Sequence, residues 1–420
     1  MAEKKQIVIL GGSYSGVSTA HSVLKHVLPS LPDSSAYAVV LISASSQSMC
    51  RPACPRALIS DDYFNQDKLF VSIPKQFEQY KSNFRFINGT VTELHHEQRT
   101  LSVSVADAVE QLSYYALVIA TGASTFSPLF GFNRDEAFLR ASWTAFRAAL
   151  PAARSIVIAG GGPTGVETAG ELGEHLNGRA GWFSSTLANP KVAVTLVSAG
   201  DNLLPNLRPA LAQKAERYLA KVGVTVIKNA RVKNVSPQGS TNQEGGTFSG
   251  PGVDDVAAKA TLSLDNGSTM DADLYIPAFG TRPNTSFIKA SSLLASDRRV
   301  NTNESTLRVD AAGPRVYAVG DVGSYAKPAI HQILAAIPVV TANIKRDLLA
   351  DAGQTLAGED RVFKEDTRET QMIPIGKSKG VGAAMGYKLP SFMVWLIKGR
   401  DYWLWTTGNL WSGKQWAKEG

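Results

Sequence analysis

The sequence predicts an α/β fold with two Rossmann-like dinucleotide-binding domains, one inserted in the other, followed by a small C-terminal α+β domain. Three observations predict it. A glycine-rich turn, GGSYSG from Gly11 to Gly16, directly follows the apolar run Ile7 to Leu10. A second, GGGPTG from Gly160 to Gly165, directly follows Ile156 to Ala159. A Gly-Asp pair, Gly320-Asp321, then closes the apolar run Val316 to Val319. One glycine-rich turn between a strand and a helix is weak evidence; two of them in register with a downstream Gly-Asp are specific.

Each motif has its own mechanics. The first glycine (Gly11, Gly160) allows the tight bend, and the last (Gly16, Gly165) lets helix pack on strand. Between them, the middle position lets backbone approach a pyrophosphate held at the helix N-terminus. That position is Gly162 in the second motif and Ser13 in the first, where a small residue with its N–H intact keeps the site usable. After the first motif the pattern is mostly strand and turn, ending in Tyr115 to Ala120 and the turn Thr121-Gly122. The second unit runs from about Pro151 to Phe279 through strands at Val192 to Val197 and Thr225 to Lys228, with a helix near Leu211 to Val222 between them. The stretch Ser236 to Val256, rich in Gly, Ser, Asn and Gln, reads as a mobile hairpin tip. A strand from Tyr275 to Gly280, followed by Thr281-Arg282-Pro283-Asn284, repeats the earlier Thr-Gly turn and hands the chain back. The expected domains are therefore 1–150 with 280–350, the inserted 151–279, and 351–420.

Composition excludes several classes. With 420 residues, 44% hydrophobic and 19% charged, the chain is globular and long enough for about three domains. Two cysteines exclude a disulfide scaffold and suggest a reducing compartment. A net charge of +7 without a dense Lys/Arg block argues against nucleic acid as a partner. No metal-ligand spacing stands out, so no metal is expected. The first strand begins almost at once, which leaves no room for a signal peptide; Ala2 excludes an N-myristoyl glycine, and no apolar run approaches the ~20 residues of a membrane span. A cytoplasmic protein is expected, not a secreted one, with any membrane contact peripheral.

The acidic residue that usually follows a glycine motif by about 20 to 30 residues, where it receives ribose hydroxyls, is missing from both units. Ser43 ends the strand Val39 to Ile42, and Ser198 ends Val192 to Val197. Without a carboxylate at 198, a 2′-phosphate meets no fixed negative charge from that position. NADPH is therefore slightly favoured over NADH, although Asp201 lies nearby and no arginine clamp is evident.

GGSYSG, LVIATG at Leu117 to Gly122, GGGPTGVE at Gly160 to Glu167, RVYAVGD at Arg315 to Asp321 and the tail GKSKGVGAAMG at Gly376 to Gly386 together span essentially the whole chain. In these residues the sequence resembles the two-dinucleotide-binding-domain flavoprotein oxidoreductases. Within them it is similar to the apoptosis-inducing-factor-like and ferroptosis-suppressor-like group, with type II NADH dehydrogenases as wider relatives. The resemblance implies FAD along the first unit, its pyrophosphate at Gly11, Gly12, Ser13 and Gly16 and a ribityl hydroxyl on Asp321 after Gly320. It implies that Thr121-Gly122 and the matching Gly280 turn close over nucleotide, that Arg56 stands near the flavin, and that NAD(P)H lies on Gly160, Gly162 and Gly165. Glu167, read as lying in the first turn of its helix, matches a glutamate where nicotinamide meets flavin; a carboxylate favoured only by the helix dipole is the equal alternative. His331-Gln332 begin a helix aimed at the flavin pyrimidine edge, or simply cap it.

Cys50 and Cys54 form a C-x3-C near where disulfide-reducing relatives carry a redox cysteine, but the spacing and the intervening proline favour two inert thiols. Five of the seven tryptophans, at 395, 403, 405, 411 and 416, fall in the last 26 residues among Lys398, Arg400, Lys414 and Lys418. Such a tail suits a membrane surface reached by snorkelling lysines better than the alternative, a small hydrophobic layer or homodimer interface. The expected activity is hydride transfer from NAD(P)H to flavin, with electrons passed to a quinone or other small-molecule acceptor. A soluble flavoprotein serving a metabolite or partner protein, and a redox-sensing interaction protein, remain the rivals.

Overall fold

The computed structural model describes residues 4–80, 82–106, 108–236, 254–354 and 358–419. Each glycine motif leaves the inner strand of a parallel sheet. Lys5–Leu10 runs between Tyr37–Ser43 and Ala116–Ile119, with Phe84–Asn88 and Val316–Ala318 at the edges. Its alternate residues serve opposite faces: Ile7 and Ile9 pack with Val17 and Ala20 of the helix Tyr14–Ser22, while Val8 and Leu10 join a second apolar cluster. A sheet covered on both faces needs the unbroken apolar run seen in the sequence. In the second sheet Ser155–Ala159 runs between Ala193–Val197 and Leu274–Pro277, with Val224–Ile227 at one edge. Both motifs thus sit where strand order reverses, above the carboxyl ends of the strands, which is where open α/β sheets bind ligands.

The inserted unit is entered and left at one place. Ala123–Ser124 pairs antiparallel with Arg282–Pro283. Asn284 ties the two turns together, its side-chain amide donating to the Thr121 carbonyl at 2.8 Å and its backbone N–H to that of Gly122 at 3.0 Å. The helix Glu136–Ala149, capped by the Asp135 carboxylate, buries Leu139, Trp143 and Phe146 in the same apolar core as the second sheet. Packing therefore joins this helix, which lies before residue 150, to the inserted unit. Of the expected hairpin tip, residues 237–253 lie outside the described residues.

After the long helix Ile330–Asp351, the C-terminal part forms an antiparallel sheet of Gln371–Ile375, Lys379–Ala384 and Tyr387–Lys388. The helix Ser391–Val394, a π-helical turn Trp395–Gly399 and the helix Leu404–Trp411 follow. The tryptophan-rich tail does not act as one surface. Trp411 and Trp416 are buried in the core of the first unit, Trp411 with its ring 4.8 Å from that of Tyr14. Three side chains from the first unit hold that stretch: His21 and His26 bond the carbonyls of Trp411 and Trp416, both at 2.8 Å, and Lys25 donates to Gly413. Trp395 and Trp405 remain exposed. Trp411 and Trp416 thus follow the expected alternative of a hydrophobic layer, the last turn closing the first domain's core.

Candidate functional site

The first cradle is built from backbone. Gly11 has φ +114°, and a Cβ there would lie 2.2 Å from the Ala120 carbonyl oxygen; one at Gly16 would lie 1.7 Å from that of Gly11. The second cradle repeats this, with Gly160 at φ +129° against Ala278 and Gly165 against Gly160. A Cβ on Gly162 would meet nothing, so its backbone is open to a ligand. Neither motif helix has a side-chain cap at its N-cap, Ser13 or Gly162, and neither carries an acid in its first turn. Their leading N–H groups are left for an anion. Ser43 and Ser198 occupy equivalent places, each hydroxyl within 2.6 Å of the point a Cβ on Gly12 or Gly161 would occupy. These are the places where a ribose-binding carboxylate is missing.

Gly320, at φ +91°, abuts Ser15 in the first turn of the first motif helix, which brings the Gly-Asp pair to the first cradle. Among the described residues no group hydrogen-bonds the Asp321 carboxylate. Burial raises its pKa, opposed by the positive charges of Arg51 and Arg299. A partly buried carboxylate without a protein donor beside the first cradle fits a polyhydroxyl ligand. Arg51 went unnoticed in the sequence; it reaches the carbonyls of Phe130 and Ala123 at 3.1 and 3.0 Å, beside the turn at Thr121-Gly122. Thr121 Oγ1 donates to the Asn284 carbonyl at 2.8 Å, and Gly122 and Gly280 take φ +65° and +59°. His331, second residue of its helix, holds a buried Nε2 with no partner, whereas the Gln332 amide is engaged by the Asp366 backbone. A cradle for pyrophosphate, an orphaned carboxylate and an orphaned imidazole fit FAD on the first unit.

The second motif helix, Pro163–Asn177, carries two buried carboxylates one turn apart, Glu167 and Glu171. Glu167 is the fifth residue of this helix, so it stands beyond the first turn where the sequence reading placed it, and the dipole explanation lapses. It meets Lys398, which the π-helical turn delivers from the C-terminal domain; both are less than a tenth exposed. Burial pushes the Glu167 carboxyl up to about 7 against the pull of Lys398. Lys398 was expected to reach lipid phosphates and instead lies in this buried pair. Arg56 is buried too, where it grips Glu171 in a fork at 2.8 and 2.9 Å and donates to the carbonyl of Gly399 at 2.8 Å. Tyr402, fully buried, donates to Glu171 at 3.0 Å. Tyr402 and Trp403 both take left-handed backbone, φ 52° and 70°, a strained pair of the kind that persists where its surroundings over-determine it. A line of contacts then crosses between the nucleotide units: Tyr14, first residue of the first motif helix, donates to Cys50 Sγ, and Cys50 to the Tyr402 carbonyl, both at 3.4 Å. Glu171 was detectable in sequence as the residue one helical turn beyond Glu167; Lys398 and Tyr402, more than two hundred residues away, gave no such signal.

The family model of the pyridine nucleotide-disulphide oxidoreductases matches residues 5–338. The chain belongs to that family. Oxidoreductase phnG of Penicillium herquei is 62% identical over 418 residues, covering 99% of this chain and 98% of the relative. Ferroptosis suppressor protein 1 of Homo sapiens is 24% identical, covering 96% and 94%. Among solved structures, the sulfide:quinone oxidoreductase of Aquifex aeolicus superposes with a TM-score of 0.60 at 18% identity, over 83% of this chain and 78% of that one. This pyridine nucleotide-disulphide oxidoreductase is therefore an FAD flavoprotein working with NAD(P)H. Despite the family's name, Cys50 and Cys54 are free, buried thiols. Burial raises the Cys50 thiol to about 11 and Cys54 higher still, which removes the thiolate that disulfide chemistry needs.

Proposed function

We propose that the protein passes reducing equivalents from NAD(P)H, through FAD, to a quinone-type acceptor. The cofactor supplies the two-electron chemistry when bound, and the chain's own residues bind, orient and supply protons. The observation that carries the reading is the buried Glu167–Lys398 pair, contributed by the NAD(P)H-binding helix and the C-terminal domain. Turning a quinone into a quinol takes two protons as well as two electrons, and a carboxyl with a pKa near 7 is matched to proton delivery at neutral pH. The Tyr402–Glu171–Arg56 network fixes the wall behind that pair. Support for a lipid-borne acceptor comes from the exposed Phe392, Trp395, Leu396 and Trp405 close to Lys398 in sequence, and from the quinone for which the structurally similar Aquifex enzyme is named. This reading entails peripheral attachment to an intracellular membrane; among the described residues no helix is long and apolar enough to cross one.

The test is steady-state turnover of purified protein with NADH and NADPH against short- and long-tailed quinones. The protonated form of Glu167 is lost as pH rises through about 7, so quinone reduction should fall across that range. Glu167→Gln should lower the rate by about 100-fold and remove the inflection, with FAD content unchanged. If no quinone is reduced faster than dioxygen, or if reduced flavin persists for minutes beside every quinone, the reading fails.

A further inference from the structure

The connection from the second motif helix to the strand Ala193–Val197 covers residues 178–192, where α/β units ordinarily take about 2–6 residues. It is held to the turn beneath it, with Ala180 N–H donating to the Lys221 carbonyl at 2.8 Å and Leu187 N–H to that of Ala220 at 3.0 Å. Yet it presents two adjacent aromatics to solvent, Trp182 at 88% exposure and Phe183 at 101%. The only charges in the loop are Arg179 and Lys191.

The base of this loop touches the C-terminal domain. Arg179 donates to the Ile375 carbonyl at 2.9 Å, and Glu174, its partner, accepts from the Lys377 N–H at 2.7 Å. Gly380, at the far side of the same hairpin turn, donates its N–H to Ser391 Oγ, and from Ser391 the chain runs directly into exposed Phe392, Trp395 and Leu396. One turn, residues 376–378, therefore has an aromatic loop from the NAD(P)H-binding domain on one side and an apolar helix face on the other. Between residues 376 and 400, with Lys398 buried against Glu167, the lysines left for this face are Lys377, Lys379 and Lys388, and the stretch holds no acid.

We infer that this composite face seats the protein on an anionic lipid surface, with Trp182 and Phe183 entering the headgroup boundary as an anchor supplied by the NAD(P)H-binding domain. The inference extends the membrane contact of the proposed function and rests on that part of it, independently of which acceptor is reduced. Aromatic rings amid lysines suit an anionic interface. A second copy docked two-fold on the same patch would set lysine against lysine, which disfavours self-association.

The experiment uses the full FAD-loaded chain with vesicles of phosphatidylcholine, with and without phosphatidylserine. Trp182→Ser with Phe183→Ser should weaken partition to phosphatidylserine vesicles about tenfold. Lys377→Glu should weaken it about fivefold on those vesicles and little on neutral ones. FAD content and NAD(P)H–ferricyanide turnover should stay at the parent level, which separates lost docking from lost folding. Unchanged partition of the double variant overturns the inference, as does a shift in oligomeric state by light scattering with vesicle binding intact. A water-soluble quinone assayed without vesicles reports on the acceptor reading alone: its failure would leave the lipid-facing loop standing, and its success would not rescue the loop.

Discussion

Asp321 shows how one side chain can mark a candidate ligand site. A carboxylate that burial alone makes unfavourable, with no donor among the described residues, belongs to a site completed by hydroxyl groups. Asp321→Ala should therefore lower the flavin absorbance per mole of purified protein by several-fold while the fold persists; full flavin occupancy at parental affinity would assign the residue elsewhere. Ser198 makes the complementary case. It is buried at the end of its strand against Gly161, where a carboxylate would accept from a ribose 2′-hydroxyl and repel a 2′-phosphate. Ser198→Glu should move the ratio of kcat/KM values toward NADH by about tenfold or more. An unchanged ratio would show that the position does not face the ribose. The serine was legible in sequence as a missing acid, because strand and motif are contiguous; the place it occupies needed the packed sheet.

At the scale of elements, the first helix and the chain's last turn depend on each other. His21 is fully buried, stacked 4.0 Å from Phe77, with Nε2 on the Trp411 carbonyl and Nδ1 unpartnered. Burial lowers its pKa to about 4. Because the folded-state pKa lies below the unfolded one, this stabilisation is complete above about pH 6.5 and is lost as pH falls toward 4, an effect on the order of 3 kcal/mol at most. The melting temperature should therefore drop between pH 6.5 and 4, and the drop should be smaller in His21→Gln. Equal acid sensitivity in parent and variant would place the titrating group elsewhere. The sequence marked this tail as aromatic and basic, which suits a membrane better than a core. Which tryptophans are buried follows from where the first helix and the π-helical turn Val23–Val27 after it place His21, Lys25 and His26, and composition carries no trace of that.

Across the whole molecule, Arg56 fastens three parts together: its own short helix Cys54–Ala57, Glu171 on the inserted unit's helix, and the carbonyls of Gly376 and Gly399 in the C-terminal domain. Removing one partner of a buried pair strands the other. Arg56→Met should cost about 3–5 kcal/mol in chemical denaturation, and adding Glu171→Gln should restore much of that loss. Additive losses in the double variant would mean that the two side chains act separately. The same fastening holds Tyr402 and the neighbouring Lys398 against the second motif helix, so the proposed proton-handling wall forms only when the domains close on one another.

The sequence by itself determined the two nucleotide cradles, their order, and the insertion of one unit in the other. Those features are local: a tight turn, a close backbone approach and a positive φ at Gly11 and Gly160 need glycine at fixed offsets from an apolar strand, and the spacing survives in one dimension. Only the tertiary structure decided what Glu167, Glu171 and Arg56 do, which cation of the tail is buried, and which tryptophans face water. Each of these turns on partners separated by more than one hundred residues, where a lysine that pairs with a carboxylate and a lysine that meets solvent are the same letter. Burial separates them, because a charge taken out of water must find its counter-charge and an exposed one need not.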